Sequence, residues 1–556
     1  MLRGVYRLSL NASDLFVRAL EAEGVEYVYG IPGEENLYLL EAIRKSGIKV
    51  ILNRHEQAAG FMAATYGRLT GKPGVAISTL GPGATNFTTS AAYATLGGFP
   101  VLFITGQKPI KKSKQGRFQI TDVVGMMKPI TKYSQVICDA NMVTSVVRQA
   151  FKSATEGKPG AVHIEFPEDV CDEDVTQDTK GVFQVSVSHS PHPCKNGLRE
   201  LADDIKSATL PLVLVGSHCN TQETSKAMGA FIEATGLPFI ATQMGKGVIA
   251  ETHPSYIGTT SLSATDYVHD LTKRADLIIN VGYDVVEKPP YFASQNTKVV
   301  HLSDVYAVAD NIYAPDVEIV GDIAAAVREL AQLVGKCSQD FSYAARVKEA
   351  LTANIARDAR DASFPLKPQR IVSDVCEHMS GKGIVSLDNG MYKLWFARNY
   401  KAVAPNTLLL DNALATMGAG LPVAMECARL YPDKKVLAVC GDGGFMMNSQ
   451  EMETAIRLGL NLVVLILNDN AYGMIRWKQD GMSLEDYAMT FNNPDFVKYA
   501  ESYGARGHRV TKAEDLSELL EKCFDQKGVH LIDVPIDYSE NAKVFSNELR
   551  SRAIVE

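Results

Sequence analysis

Apolar runs of strand length alternate with segments of helical periodicity along almost the whole chain. The first third illustrates this, with predicted strands in "VEYVYGIPG", "PGVAISTLGPG" and "FPVLFITG" and a predicted helix in "QAAGFMAATYGRLTG". Strands that alternate with helices pack in layers around parallel sheets. We therefore predict an α/β fold in which each domain is a parallel sheet flanked by helices.

The length of the chain and two interruptions of the pattern predict the domain organisation. A chain of 556 residues exceeds what one hydrophobic core supports. The alternation stops in a polar stretch at 171–197 and again around "FPLKPQR" at 364–370. We predict three domains at 1–180, 190–345 and 360–556, and the central one is expected to be Rossmann-like.

Charge, hydropathy and cysteine content argue against several kinds of partner. A net charge of −8 argues against nucleic acid, because phosphate binding needs a basic face. The short basic stretch "KPIKKSKQGR" at 108–117 is expected to be a solvated loop or the rim of an anion site. Apolar runs such as "LVVLIL" at 462–467 are too short to span a membrane. Nine scattered cysteines without a CxxC pair, and no secretory signal, indicate a reducing cytoplasm with neither a disulfide framework nor a zinc site.

The stretch "VLAVCGDGGF" at 436–445 is a predicted strand followed by a glycine-rich turn that contains Asp442. A glycine-rich turn after a strand suggests the dinucleotide fingerprint G-x-G-x-x-G. That pattern fails here, because the glycines are Gly441, Gly443 and Gly444 and position 446 is methionine. The role of Asp442 must therefore be inferred from another part of the chain.

A second acidic residue follows the next predicted strand. "NLVVLIL" runs into "NDNAYG", which places Asp469 27 residues after Asp442. Ligands collect at the carboxyl ends of parallel strands, so neighbouring strands would bring the two carboxylates together. Oxygen ligands of this kind suit Mg²⁺, and the glycines would let backbone N–H groups approach a diphosphate. The alternative is that both residues are ordinary acids in turns at strand ends.

G-D-G followed at this distance by Asn468-Asp469 resembles the metal and diphosphate signature of thiamine diphosphate enzymes, in which the second residue of this pair is usually asparagine. The resemblance implies that the metal is bound by the side chains of Asp442 and Asp469 and by the backbone carbonyl of Ala471. It identifies Glu56 in "NRHEQAAGFMA" as the catalytic acid that drives the cofactor's proton relay, with an elevated pKa, and Met417 in "ATMGAGLP" as the residue that bends the cofactor. Further cofactor contacts implied by the resemblance are Gly33, Glu56, Pro82, Asn86, Gly390, Met391, Gly441, Gly443, Gly444, Tyr472, Gly473 and Met474.

The resemblance extends over essentially the whole chain. "GIPGEENLYLLEA", "RHEQAAGFMAATYGRLTGKPGV", "FQITDVVGMMKPITKY" and "GDGGFMMNSQEMETAIRLGLN" together are similar to the catalytic chain of acetolactate synthases. This implies a transferase that decarboxylates pyruvate and condenses the product with a second pyruvate to give 2-acetolactate and CO₂. It also implies a homodimer or homotetramer whose active sites lie at the subunit interface, and a substrate contact from Gln119 in "GRFQITD".

The branch of the family is predicted from the central domain. Flavin-carrying synthases have an arginine-rich stretch where this chain has "VGYDVVEKPPYF" at 281–292, so FAD is expected to be absent, as in flavin-free catabolic enzymes. The ending "DVPIDYSEN" and the aspartate at 469 favour the same branch. Asp304, at the end of a predicted strand, could bind a ribose hydroxyl, but no glycine fingerprint precedes it, which favours a turn-capping role.

The reaction outcome is inferred from the scarcity of proton donors. No histidine occurs between His55 and His163, and Met391 and Tyr392 occupy positions where the synthases often carry Gln-His or Ser-His. This favours carboligation, but a 2-oxoacid decarboxylase, a carboligase with another donor or acceptor, or a catalytically silent paralogue remain alternatives. Glu34 and Trp477 depart from the family pattern, and their roles stay open.

Overall fold

Three six-stranded sheets organise the chain, and every pairing between their described strands is parallel. The computed structural model describes residues 10–112, 116–176, 185–186, 190–262, 265–289, 297–309 and 311–549. The chain divides into two compact units, 1–188 and 189–556; the first sheet lies in the first unit and the other two sheets lie in the second. The α/β fold is thus confirmed, whereas the domain limits stay a prediction.

The first unit has strand order β2-β1-β3-β4-β6-β5. Its strands are β1 (Tyr27–Gly30), β2 (Lys49–Leu52), β3 (Gly74–Ser78), β4 (Val101–Gln107), β5 (Tyr133–Val136) and β6 (Ala161–Pro167). Its helices are α1 (Ala12–Ala22), α2 (Leu37–Lys45), α3 (Glu56–Thr70), α4 (Pro82–Thr85), α5 (Thr88–Gly97), α6 (Val123–Met127), α7 (Val143–Thr155) and α8 (Glu168–Cys171). Strands β3, β4 and β6 are buried along their whole length, as expected for a parallel sheet covered on both faces.

The central sheet has the order β12-β11-β10-β7-β8-β9. Its strands are β7 (Pro211–Val215), β8 (Phe239–Thr242), β9 (Tyr256–Thr260), β10 (Leu277–Val281), β11 (Lys298–Ser303) and β12 (Val317–Val320). Its helices are α9 (Lys195–Ser207), α10 (Gln222–Thr235), α11 (Tyr267–Arg274), α12 (Ile323–Val334) and α13 (Ser342–Ala356). This is the doubly wound Rossmann order, whose switch point lies between β7 and β10.

The third sheet has the order β14-β13-β15-β16-β18-β17. Its strands are β13 (Gly383–Leu387), β14 (Leu408–Leu409), β15 (Lys435–Gly441), β16 (Leu462–Asn468), β17 (Arg506–Arg509) and β18 (Val529–Pro535). Its helices are α14 (Pro368–Met379), α15 (Tyr392–Asn399), α16 (Gly420–Leu430), α17 (Asp442–Asn448), α18 (Glu451–Arg457), α19 (Gly473–Gly481), α20 (Phe496–Ser502) and α21 (Asp515–Phe524). A π-helical turn spans Ala542–Glu548.

Buried ion pairs connect the two sheets of the second unit. The Lys246 ammonium donates to both oxygens of Glu251 at 2.9 and 2.8 Å and to the Tyr400 carbonyl at 2.9 Å. The Arg398 guanidinium donates to both oxygens of Asp266 at 2.7 and 3.2 Å. Removing one partner of such a buried pair costs about 3–5 kcal/mol, so these contacts hold the two sheets in a fixed arrangement. No helix among the described residues has the length and apolar character needed to cross a membrane.

Candidate active site

Asp442 and Asp469 lie at the carboxyl ends of neighbouring strands. β15 and β16 pair in register, with Gly441 opposite Leu467, so the residues that follow them emerge at the same edge of the sheet. Asp442 is not in an open turn, as the sequence had suggested, but is the first residue of helix α17. The sheet thus brings the two predicted acids together, as the strand-end argument requires.

The Asp442 carboxylate is held in place by several donors. Its Oδ2 accepts hydrogen bonds from the Asn470 N–H at 2.8 Å and from Asn493 Nδ2 at 2.7 Å. Its Oδ1 accepts from the Gly443 N–H at 2.8 Å. Asn470 adopts a left-handed backbone conformation with φ of 54°, which asparagine tolerates better than most residues. Asp442 is therefore fixed by backbone geometry before any ligand binds.

Burial makes the ionised form of both carboxyl groups unfavourable. It raises the pKa of Asp442, against the effect of hydrogen bonds from Asn493 and Gly443. It raises the pKa of Asp469 to about 7, and the nearby charge of Asp442 adds to this rise. Two buried carboxylates that disfavour each other's ionised form are the arrangement that a divalent cation stabilises.

A pocket of about 220 Å³ opens beside these acids. Its wall includes all twelve site residues predicted in the last third of the chain, namely Gly390, Met391, Met417, Gly441, Asp442, Gly443, Gly444, Asp469, Ala471, Tyr472, Gly473 and Met474. These residues come from four separate segments of the sequence. The structure therefore assembles them into one concave site, the shape in which small molecules bind.

The small residues of the wall are required by close packing. A Cβ on Gly444 would lie 2.7 Å from Asp388 Oδ2, and one on Gly473 would lie 2.7 Å from Asp469 Oδ2. The Asp388 carboxylate accepts the Gly418 N–H at 3.0 and 3.1 Å, which fixes the segment that carries Met417. The pocket is thus a glycine-lined cradle with oxygen donors at one end, and this donor set fits a Mg²⁺–diphosphate group.

Sequence reasoning missed a buried hydrogen-bonded chain behind the pocket. Lys393, which lines the pocket, donates to the Asp411 carbonyl at 3.1 Å and to Asn412 Oδ1 at 3.2 Å. Asn412 Nδ2 donates in turn to Glu287 Oε1 at 3.2 Å, and Glu287 also accepts the Met244 N–H at 3.1 Å. Burial lowers the pKa of Lys393 and raises that of Glu287. This series of hydrogen bonds links the central domain to the segment that leads to Met417.

A loop after α19 was also missed. Asn493 contacts Asp442 together with Asn468 Oδ1 and Asn470 Oδ1, each at 3.1 Å. The Tyr472 N–H donates to the Met489 carbonyl at 2.9 Å, so the loop pairs with the strand-end segment. "NNPD" at 492–495 carries no distinctive motif, and only the tertiary fold shows that it completes the site.

In the first unit, Glu56 is the first residue of α3 and is only 8 % exposed. Its Oε2 accepts a hydrogen bond from Asn86 Nδ2 at 2.9 Å, and a Cβ on Gly83 would lie 3.2 Å from its Oε1. Pro82 is the first residue of α4 and Asn86 follows its last turn. Glu56, Pro82 and Asn86 thus lie on adjacent segments, as the resemblance implies.

The remaining predicted residues of the first unit border the same segments. A Cβ on Gly33 would lie 2.3 Å from Thr79 Cβ, just before "GPGATN". Gln119 is exposed and has φ of 59°, and its carbonyl oxygen would lie 2.9 Å from a Cβ on Gly81. The unusual backbone of Gln119 therefore packs against the turn that precedes Pro82.

Several buried charges in the first unit were not anticipated. Lys108 pairs with Glu35 at 2.6 Å, with both side chains about 95 % buried, so this residue of the basic stretch is not solvated as expected. Thr79 Oγ1 also donates to Glu35. Glu165 lies at the end of β6, where burial raises its pKa to about 7 and Gln107 Nε2 donates to it at 3.0 Å. These contacts brace the strand ends of the first sheet.

The two departures from the family pattern have different surroundings. Glu34 is exposed next to Gly33, in a short 3₁₀ turn. Trp477 is half-buried in α19 and packs edge-on against Phe545, with ring centroids 6.2 Å apart. Neither contact assigns a role in substrate selection.

Comparison with known families matches all three parts of the chain. Residues 10–126 match the N-terminal TPP binding domain of thiamine pyrophosphate (thiamine diphosphate) enzymes, 198–330 the central domain, and 388–534 the C-terminal TPP binding domain. The acetolactate synthase of Bacillus subtilis (strain 168) is 33 % identical over 97 % of this chain and 95 % of its own length. The catabolic acetolactate synthase of Raoultella terrigena is 32 % identical over 96 % of both chains.

A probable acetolactate synthase large subunit of Methanococcus aeolicus is 30 % identical over 95 % of this chain and 92 % of its own length. The aligned regions include the three sheets and the predicted site residues of both units. The chain therefore belongs to the thiamine diphosphate-dependent acetolactate synthase family and is an enzyme of that type.

Proposed function

We propose that the protein converts two molecules of pyruvate into 2-acetolactate and CO₂, with thiamine diphosphate and Mg²⁺. The observation that carries the proposal is the pair of buried acids, Asp442 and Asp469, in a glycine-lined pocket of a chain whose full-length relatives are named acetolactate synthases. When bound, thiamine diphosphate supplies the carbon that adds to the 2-oxo group and the electron sink for loss of CO₂.

The third domain is proposed to bind the diphosphate end of the cofactor. Asp442 and Asp469 would bind Mg²⁺ with the carbonyl of Ala471, and Gly441, Gly443 and Gly444 would leave the backbone accessible to phosphate oxygens. Other contacts are assigned to the pocket residues Gly390, Met391, Tyr472, Gly473 and Met474. Met417, held by the Asp388 contact to Gly418, is proposed to support the bent cofactor.

Glu56 is proposed to exchange a proton with the cofactor's ring nitrogen. Its burial and the hydrogen bond from Asn86 support this role, because a carboxyl group must be oriented before it can act as a general acid or base. Gly33 and Pro82 would form the adjoining wall, and Gln119 would orient the substrate.

Carboligation is favoured over simple decarboxylation by the side chains around the pocket. None of the described residues that line it is a histidine. His163, buried in the first unit, is engaged by Thr105 and Ser134, each at 2.9 Å. Without a histidine to donate a proton, addition to a second 2-oxo group competes well with protonation. A 2-oxoacid decarboxylase is the alternative.

We propose that the enzyme works without FAD. At the switch point of the central sheet a Cβ on Gly216 would lie 2.2 Å from the Gly282 carbonyl oxygen, so the two strand-end loops touch. His218 lies beside them and pairs with Asp304 at 2.6 Å. Asp304 is thus engaged with a histidine where a dinucleotide would need space. Part of the segment 281–292 lies outside the described residues.

The product formed from pyruvate tests this function. Purified protein with thiamine diphosphate and Mg²⁺ should give acetolactate, measured as acetoin after acid treatment, and activity should disappear with EDTA and return with Mg²⁺. Its visible spectrum should lack flavin absorption. Acetaldehyde as the sole product would refute the synthase assignment and favour a decarboxylase.

We further propose a homodimer or homotetramer, in the cytoplasm, whose sites are shared between subunits. The described residues that line the pocket include no glutamate, and the family resemblance implies that Glu56 of another subunit completes the site. Apolar side chains beside the predicted site residues are exposed in both units, including Phe118 at 68 % and Ile475 at 52 %, and such surface is typical of protein interfaces. All nine cysteines are free, as expected in a reducing compartment.

Mixed oligomers test the shared site. Glu56→Gln and Asp442→Asn chains, each inactive alone, are co-expressed in equal amounts. Half of the dimers are then mixed, and each mixed dimer has one site with both acids intact. Activity should recover to about one quarter of the wild-type level. No recovery in mixed dimers would show that each site is built from one chain.

A further inference from the structure

Two imidazoles and one thiol converge on the third sheet, away from the residues that line the pocket. His508 lies in β17, His530 in β18 and Cys523 in α21. One candidate ligand atom from each lies within 4.8 Å of the other two. Among the described residues, no other three side chains of His, Cys, Asp or Glu converge as closely.

The strand register explains why the two histidines meet. Arg506 lies directly opposite His530 in the parallel pair of β17 and β18. His508, two residues further along, projects from the same face of the sheet. His508 Nε2 lies 3.3 Å from His530 Nδ1, and the two rings are inclined by 12°. Two nitrogens that bind one metal tetrahedrally at about 2.0–2.1 Å are separated by about 3.3–3.4 Å.

The surroundings suit a partly enclosed ion. His530 and Cys523 are almost fully buried, whereas His508 is partly exposed and leaves an entry path. The outer nitrogen of His530 lies 3.2 Å from Arg506 Nη1, which also donates to the Lys527 carbonyl at 3.0 Å.

We propose that His508, Cys523 and His530 bind one thiophilic divalent cation, such as Zn²⁺, with water as a fourth ligand. Two imidazole nitrogens and a sulfur select Zn²⁺ or Co²⁺ over Mg²⁺, which prefers the oxygen donors of Asp442 and Asp469. The ion would tie the edge strand β17 to β18 and α21. The sequence predicted no zinc site, because these ligands follow no CxxC spacing and meet only in the folded sheet.

Cobalt absorption tests the site independently of catalysis. Co²⁺ is added to the full chain with saturating Mg²⁺ and thiamine diphosphate, so that the carboxylate site is occupied. One equivalent should produce a thiolate-to-cobalt charge-transfer band and the visible bands of tetrahedral Co²⁺, and Zn²⁺ should abolish both. A wild-type protein without the charge-transfer band would overturn the proposal, and an ordinary hydrogen bond between the imidazoles would then explain the cluster.

Substitutions of the proposed metal ligands test whether these side chains bind the ion. Cys523→Ser should abolish the charge-transfer band and weaken Zn²⁺ binding at least tenfold, whereas Cys337→Ser, which changes a cysteine outside the cluster, should leave both unchanged. His508→Gln alters the partly exposed ligand, is expected to fold, and should also weaken Zn²⁺ binding. Equal Zn²⁺ affinity of the wild type and of folded ligand variants would mean that the metal binds elsewhere. Acetolactate formation stays a separate measurement, so the two proposals can fail independently.

Discussion

Replacing Gly473 with alanine should weaken Mg²⁺ binding without disturbing the fold. The added Cβ would lie 2.7 Å from Asp469 Oδ2, whereas ordinary contact begins at 3.4 Å. The carboxylate must therefore retreat by 0.7 Å, the difference between these values. The next nearest atoms, on the ring of Tyr538, lie 3.5 Å away in ordinary contact, so the strain falls on the proposed metal ligand alone.

A retreat of this size is large for a metal ligand. Metal–ligand distances vary by only about ±0.2 Å in well-formed sites. Changes that displace a ligand indirectly typically lower metal affinity about 10–100-fold, which corresponds to about 1.4–2.7 kcal/mol. We expect the half-saturating Mg²⁺ concentration to rise by that factor, and high Mg²⁺ to restore most of the activity.

The measurement compares Mg²⁺ titrations of acetolactate formation and of cofactor binding. Gly481→Ala is the matched control, because Gly481 is the last residue of the same helix and has no other atom within 4 Å of its added Cβ. The control should leave the Mg²⁺ titration unchanged and slightly stabilise the protein. An unchanged titration for folded Gly473→Ala would refute the assignment of Asp469 as a ligand.

Three further changes test other parts of the structure. Glu56→Gln should lower turnover by about 10²–10⁴ with an unchanged melting temperature; full turnover would contradict the proton relay. Lys393→Met should raise the cofactor dissociation constant about tenfold, because hydrogen bonds from a charged group contribute about 1.5–3 kcal/mol. An unaltered affinity, measured by calorimetry, would contradict this. Although burial opposes it, the hydrogen bonds that the His218 ring donates to Asp284 and Asp304 raise the pKa of His218 to about 9, so the stabilisation is complete below pH 6.5 and is lost as the pH rises through 9. His218→Gln should therefore lower the free energy of unfolding by up to about 3 kcal/mol at pH 6 and by much less at pH 10, and a pH-independent loss would contradict this.

The layered fold could be predicted because its signal is local. Each buried parallel strand is a short continuous apolar run, and β4, β15 and β16 stand out in the sequence for this reason. The adjacency of β15 and β16 does not follow from the sequence by itself, but few sheet orders are compatible with alternating strands and helices. The small number of compatible sheet orders was enough to predict that Asp442 and Asp469 lie at the same edge of the sheet.

Residues that act through tertiary contacts could not be predicted in the same way. Lys108 belongs to a basic stretch that the sequence suggested was solvated, yet Glu35 lies against it and makes its burial possible. Glu287 and Lys393 come from different domains and are joined through Asn412. Composition counts charges but does not show their partners, and a buried charge is stable only where a partner is present.

The two metal acids show why residues at such a site must be interpreted as a pair. Asp442 alone has enough hydrogen-bond donors to pass for a helix-start residue in a structural role. Asp469 alone is one more acid at a strand end. Together, burial raises the pKa of both carboxyl groups, and the charge of Asp442 raises that of Asp469 further. A chain gains no stability from retaining two such groups unless a cation neutralises them, so their proximity, more than either residue, supports a metal-bound cofactor.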